Sequence, residues 1–314
     1  LSHVAAELSS DLSTSAPNRR ATAERLVTGG LDGYDPSSQT RDGAMAEPES
    51  LIDTLALEAI EVNLFRGTAP QNQGPRIFGG LVIGQALLAA YRTVETRLCH
   101  SLHCYFIRPG DPSVPILYDV DRSRDGRSFT TRRVTAIQKG EQIFNLAASF
   151  QDDEPGAEHQ DPMPQVPGPE EIAVDPRMGA WHRPIDMRPV DGTLGQAVTG
   201  PPAQSVWMRA VAPLGDDRVL NQAVIAYASD MSFLSTSMRP HGWGWQTPGL
   251  QSASLDHCIW FHRPSRFNDW HLYAQHSPSA SGSRGMNFGS IYNQNGRLVA
   301  STAQEGLLRY RPKV

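Results

Sequence analysis

The second half of this chain repeats the first, and no other feature narrows the choice of fold as much. Phe106-Ile107-Arg108-Pro109, followed by Leu117-Tyr118, returns as Phe261-His262-Arg263-Pro264, followed by Leu272-Tyr273. The Arg-Pro pairs and the Leu-Tyr pairs are each 155 residues apart, and Gln138-Lys139-Gly140 meets Gln294-Asn295-Gly296 at a separation of 156. A period of this size marks a duplicated domain, because solenoid units repeat every ~20–50 residues. In 314 residues each copy is long enough to bury a core of its own. Two fused copies also leave one free to keep a working site while the other loses it.

Within each copy a helix precedes a run of strands. Ser50 and Asp53 form a capping signature before Leu51, Ile52 and Leu55, and Ile60–Phe65 reads as a strand. Gly79-Gly80 then opens a run to Tyr91 that is apolar nearly all round, which predicts a buried helix. Strands are expected at 98–108, 114–123, 128–139 and 142–151, divided by turn residues such as Asp125-Gly126 and Lys139-Gly140. In the second copy Val206–Val211 is a strand, and Asp216-Asp217 cap a helix that runs through Ile225 and Tyr227 to about Met238. Strands follow near 252–263, 269–277, 284–294 and 297–309. One helix and four strands make an α+β pattern, with the helix packed on an antiparallel sheet. The expected organisation is a flexible extension over 1–47, with Met45 as a candidate start, a first domain over 48–151, a Pro/Asp/Glu-rich linker over 152–176, and a second domain over 177–314.

Composition excludes several classes. A formal net charge of −5 argues against a nucleic-acid partner. Cys99, Cys104 and Cys258 are an odd number split between the copies, as expected of reduced thiols in a cytoplasmic protein. No apolar run approaches a membrane span and no signal-peptide core is present, so no membrane insertion is expected. Cys99-His100 with His103-Cys104 has the look of a metal cluster, but strand alternation sends Cys99 and His103 to one face and His100 and Cys104 to the other. No metal is expected. His257 and His262 read as isolated structural histidines. A serine nucleophile would be advertised by a Gly-x-Ser-x-Gly elbow, which the chain lacks.

Four segments together resemble the TesB / acyl-CoA thioesterase II family, in order, over roughly residues 50 to 310. They are Arg76–Leu87, Ser101–Gly110, Ser254–Pro264 and Ala303-Gln304-Glu305-Gly306. The resemblance implies a double hotdog fold, two tandem helix-wrapped antiparallel sheets in one chain. It implies hydrolysis of medium- or long-chain acyl-CoA to fatty acid and CoA, with acyl-CoA as the substrate and no cofactor, and a homo-oligomer is an expectation. It also implies that an Asp, a Ser or Thr, and a Gln hold the attacking water, and by motif these are Asp230, Ser254 and Gln304. Many members carry Thr where this chain has Ser254.

The chemistry suits those residue types. Asp230 can take the water's proton as general base, while the Ser254 hydroxyl and the Gln304 amide fix the water's direction. At the repeat offsets Ser254 falls on Cys99 and Gln304 on Ala148, so one site per chain is expected, with its water-holding residues in the second copy. Gly79 and Gly80, at a helix start, offer backbone amides and the helix dipole to an oxyanion, with close helix packing as the alternative. The arginines at 122, 124, 127, 132 and 133 form a solvated face and turn, with one or two in reach of the CoA phosphates. Two rivals stand beside hydrolysis. A hotdog enoyl-CoA hydratase or dehydratase would leave Gln304 without a role, and a non-catalytic acyl-CoA-binding protein would release no thiol.

Overall fold

The computed structural model describes residues 50–70, 74–173, 184–192 and 194–312; the extension expected over 1–47 lies outside them. Helix α1 (Leu51–Leu55) begins at Ser50, whose hydroxyl accepts the Asp53 amide at 3.1 Å. The single strand expected over 60–65 is instead a hairpin of β1 (Glu58–Glu61) and β2 (Leu64–Gly67). Asn63 supplies the turn, as short polar side chains do.

Next come α2 (Gly79–Tyr91), β3 (Leu98–Phe106), β4 (Ile116–Asp125), β5 (Phe129–Gln138) and β6 (Glu141–Gln151). Residues 152–168 carry no regular element. The second copy adds β7 (Ile185–Pro189), a strand not expected from sequence, then β8 (Ala203–Ala210), α3 (Arg218–Ser229), α4 (Ser235–Met238), β9 (Leu250–Ser254), β10 (Asp256–Phe261), β11 (His271–Ser281), β12 (Arg284–Asn293) and β13 (Leu298–Tyr310).

The strands form one antiparallel sheet in the order β1-β2-β4-β5-β6-β3-β10-β13-β12-β11-β8-β7, with β9 paired to β13. The order reads the same outward from the β3–β10 seam. There His103 stands opposite Cys258, its own counterpart 155 residues on, so the pseudo-twofold axis passes through that pair. Helices α2 and α3 cross antiparallel on the inner face: a Cβ on Gly80 would lie 2.2 Å from the Tyr227 carbonyl oxygen, and one on Gly84 3.2 Å from that of Ala223. This explains why α2 is apolar all round, since it meets the sheet on one side and α3 on the other. Leu81, Ile83, Ala86 and Leu87 are buried there with Leu102, Tyr118 and Phe150, each large aliphatic contributing ~1.5–3 kcal/mol of transfer free energy. Two helix-wrapped antiparallel sheets joined edge to edge constitute the double hotdog. Among the described residues, no helix is long and apolar enough to cross a membrane.

Three local departures bear on the site. The helix expected to reach Met238 stops at Ser229, and the chain turns through Ser232, at φ +67°, before α4. The strand expected over 252–263 is divided at Leu255 by one extra residue: Ser254 pairs with Gly306, but Cys258 pairs with Ala303. Such a bulge re-aims the residues beside it. Finally, a bulge between Cys99 and Ser101 overturns the expected alternation in β3. Cys99 joins Cys104 in the core, while His103 stays outside with its Nδ1 3.4 Å from the Cys258 sulfur. Among the described residues no group of His, Cys, Asp and Glu is placed to hold a metal ion.

Candidate active site

The site is built where the end of one helix meets the start of the other. Asp217 caps α3, its carboxylate accepting the Val219 and Leu220 amides at 2.9 and 3.1 Å. The far end of α3 delivers Asp230 to the first turn of α2, where the Gly80 amide donates to its carboxylate. Ser254 ends β9 at the bulge, and Gln304 points inward from β13. Gln304 Nε2 donates to Asp230 Oδ1 at 2.6 Å and to Ser254 Oγ at 2.9 Å, and Ser254 Oγ donates to Asp230 Oδ1 at 3.2 Å. The structure thus brings together the three residues singled out in sequence, with hydrogen bonds running directly between them. Gly79 is required on steric grounds, because a Cβ there would meet Asp230 Oδ2 at 2.6 Å and the Phe106 ring at 2.9 Å.

Burial raises the Asp230 pKa above the ordinary carboxylate value; the Gln304, Ser254 and Gly80 hydrogen bonds pull it back only in part. The residue keeps some exposed surface, but the carboxylate itself is enclosed. The positive end of α2 also favours the ionised form. His257, on the inner face of β10, is lowered to about 3 by burial and is therefore a neutral imidazole, its Nε2 2.9 Å from the Ser229 hydroxyl.

The turn after Asp230 is held by two glutamines that sequence reasoning missed. Gln204 Nε2 donates to the Ser232 carbonyl at 3.1 Å, and Gln275 Nε2 to the Ser232 hydroxyl at 3.2 Å. The two amides join each other at 2.7 Å, and Thr236 donates to Gln275 Oε1 at 2.7 Å. A left-handed non-glycine residue persists only where its surroundings impose it, and such positions concentrate at functional sites. The available signal was a pair of Gln residues at inward positions of β8 and β11.

Two cavities meet at Ile77, Gly79 and Ser252–Ser254. One, of about 440 Å³, opens onto Asp230 and is walled by Met187, Leu194, Met231, Leu234 and Trp245. The other, of about 350 Å³, carries Arg76 and Arg108 together with Val82 and Phe106. Trp245 comes from the Gly/Trp-rich loop, which is tied down by a Trp245 amide donation to the Gly195 carbonyl at 3.1 Å.

The remaining candidates fall elsewhere. The Gly80 amide donates to Asp230, and its missing side chain serves the α2–α3 crossing. Arg132 is buried under the C-terminal end of α2, bonded to Thr93 Oγ1 at 2.8 Å and Asp125 at 2.6 Å. That end lies about 20 Å from Gly79, the length of a 13-residue helix. Arg122 is bound to Asn63 at 2.9 Å. At the mirrored location Tyr91 stands at the end of α2 where Asp230 stands at the end of α3. Its hydroxyl accepts the Cys99 amide at 2.7 Å and donates to Gln222, while Ala148 occupies the Gln304 position.

A family model described as acyl-CoA thioesterase matches residues 178–307, and one described as acyl-CoA thioesterase N-terminal domain matches 68–151. Acyl-coenzyme A thioesterase 8 of Homo sapiens is 41% identical over 285 residues, covering 83% of this chain and 89% of that protein. Acyl-CoA thioesterase 2 of Haemophilus influenzae is 38% identical, covering 83% and 97%. A crystal structure of the acyl-CoA thioesterase II TesB2 from Mycobacterium marinum superimposes with a TM-score of 0.72 at 43% identity, over 83% of this chain and 98% of that one. A hot dog fold protein from Alicyclobacillus acidocaldarius shares the fold at 21% identity, with a TM-score of 0.71.

Proposed function

The chain belongs to the acyl-CoA thioesterase family, and from that premise we propose that the Asp230–Ser254–Gln304 cluster hydrolyses medium- and long-chain acyl-CoA by general-base activation of water. The observation that carries this reading is the state of the Asp230 carboxylate. One oxygen is engaged by Gln304 and Ser254 at 2.6 and 3.2 Å, while Oδ2 lies on the Gly79 side, at the cavity. Ser254 and Gln304 orient the base, and the water binds between Oδ2 and the thioester carbon. Asp230 takes the water's proton as the C–O bond forms, and the carbonyl electron pair moves onto oxygen. The Gly79 amide, which as the first of α2 has no carbonyl partner within the helix, stabilises that oxygen. Collapse breaks the C–S bond, and the departing thiolate takes the proton from Asp230, leaving fatty acid and CoA.

The two cavities divide the substrate. The apolar walls of Met187, Leu194 and Trp245 suit an acyl chain, and Arg76 and Arg108 give the other cavity the charge that suits the anionic CoA arm. Trp245→Ala shifts the preference toward longer chains, and Arg76→Glu raises KM with little change in kcat; both are read from a thiol-release assay over a panel of acyl-CoAs.

The same assay tests the base. Asp230→Ala and Gln304→Ala each lose on the order of a hundredfold in kcat. Wild-type turnover by both variants refutes the assignment. An enoyl-CoA hydrated without free thiol would instead identify a hydratase.

A further inference from the structure

Asn287 and Gln304 are directly opposed on β12 and β13, and both are fully buried. Opposed residues in an antiparallel pair share a face, with Cβ atoms about 5 Å apart. Gln304 uses both Nε2 protons, on Asp230 and Ser254, and its Oε1 is buried with no partner. Beside it Asn287 is buried with Nδ2 and Oδ1 both unpaired. Buried polar groups nearly always find partners, so an unpaired amide next to an unpaired acceptor is a pair waiting to be assigned. The neighbouring inward positions are glycines: a Cβ on Gly285 would meet Ser237 Oγ at 2.4 Å, and one on Gly306 would meet Leu234 at 2.2 Å. Helix α4 and the residue before it press on this face, and Asn287 is the polar side chain that β12 presents opposite Gln304.

We propose that Asn287 is a positioning residue: its Nδ2 donates to Gln304 Oε1 across one bridging water, and thereby fixes which end of the Gln304 carboxamide faces Asp230. The two ends of a carboxamide are alike in shape and opposite in hydrogen-bonding sense, so only their partners decide the orientation. A flipped Gln304 would aim oxygen at the carboxylate. Asp230 would then lose a hydrogen bond that favours its ionised form. The proposal rests on Asp230 being the base.

The test measures acyl-CoA hydrolysis by Asn287→Leu, Asn287→Ser and Gln304→Ala, and by Asn287→Leu combined with Gln304→Ala. Asn287→Leu lowers kcat about tenfold or more, with KM within about twofold, and moves the acid limb of the pH profile upward. Asn287→Ser, which retains a donor, recovers most of the rate. In the Gln304→Ala background Asn287→Leu causes no further loss, since the two residues act through one contact. Asp230 is faced by the Gly80 amide from α2, by Cys104 from β3 and Tyr273 from β11, both pushed upward by burial, and by neutral His257 from β10. Asp256, also raised by burial, is bound to the Glu305 amide at 2.7 Å and does not respond to Asn287. Should Asn287→Leu not fold, Asn287→Ala, which removes the amide donor and adds no charge, takes its place in the cycle with the same outcomes. Wild-type kcat, an unmoved acid limb, or losses that add in the double variant overturn the proposal. A wild-type enzyme that releases no thiol overturns the thioesterase reading itself.

Discussion

Asp230 is buried at a cost to folding whenever it is ionised. Its pKa is raised in the folded protein, so the folded state binds that proton more tightly than the unfolded one. Stability from this group is therefore full below the unfolded pKa and is lost as pH rises through the folded one. Once it ionises, the buried carboxylate is a net burden. Asp230→Asn keeps an oxygen to accept from Gln304 and removes the charge, so it melts at a higher temperature at pH 7 while losing activity; calorimetry beside the thiol assay checks both. A lower melting temperature would mean that the charge is compensated. Ser254→Thr keeps the hydroxyl and the activity, whereas Ser254→Ala loses much of the rate; equal rates would remove Ser254 from the site. These three residues were legible in sequence because they sit in contiguous motifs. Gln204, Gln275 and Asn287 were not. An inward Gln or Asn on an alternating strand looks like any other polar position until the neighbouring strands reveal what it faces, and a serine gives no notice of a left-handed φ.

Helices α2 and α3 cross through glycines that are not equivalent. A Cβ on Gly80 would come within 2.2 Å of the Tyr227 backbone carbonyl, which cannot move without shifting the last turn of α3 and hence Asp230. A Cβ on Gly84 would meet the flexible end of Leu55 at 2.8 Å and the Ala223 carbonyl at 3.2 Å, contacts that small adjustments relieve. Gly80→Ala therefore destabilises the protein by about 1–3 kcal/mol, as overpacking does, and also lowers kcat. In Gly84→Ala the helix-propensity gain of roughly 1 kcal/mol offsets most of the strain. Denaturant midpoints for the two variants check this, and equal losses would show that the helices can separate at the crossing. At this level the sequence displayed helix α2 and most of the strands by periodicity. It did not display the end of α3 at Ser229, because the residues up to Met238 stay compatible with a helix. What breaks the helix is tertiary, namely the Gln204 and Gln275 amides taking the Ser232 carbonyl and hydroxyl.

The duplicated architecture creates two mirrored places where a helix end meets a helix start, and the two are lined by different groups. Around Asp230 the groups are a carboxylate, a hydroxyl and an amide within 3.2 Å of one another. At the other end, Tyr91, Cys99 and Ala148 replace them. Burial pushes the Tyr91 phenol and the Cys99 thiol far upward, so neither supplies a base near neutrality. The Tyr91 hydroxyl instead ties α2 to Gln222 of α3 and to the Cys99 amide, a structural knot across the two copies. Tyr91→Phe leaves the buried Cys99 amide and the half-buried Gln222 side chain without this partner, so it lowers stability by about 1–3 kcal/mol while kcat stays within about twofold. The inverse pattern, lost kcat with unchanged stability, would place chemistry at that end. Ligand stoichiometry gives the independent reading. A non-hydrolysable alkyl-CoA thioether titrated calorimetrically binds once per chain if Asp230 marks the sole working place, and saturation at two per chain would show that the first copy has kept its site.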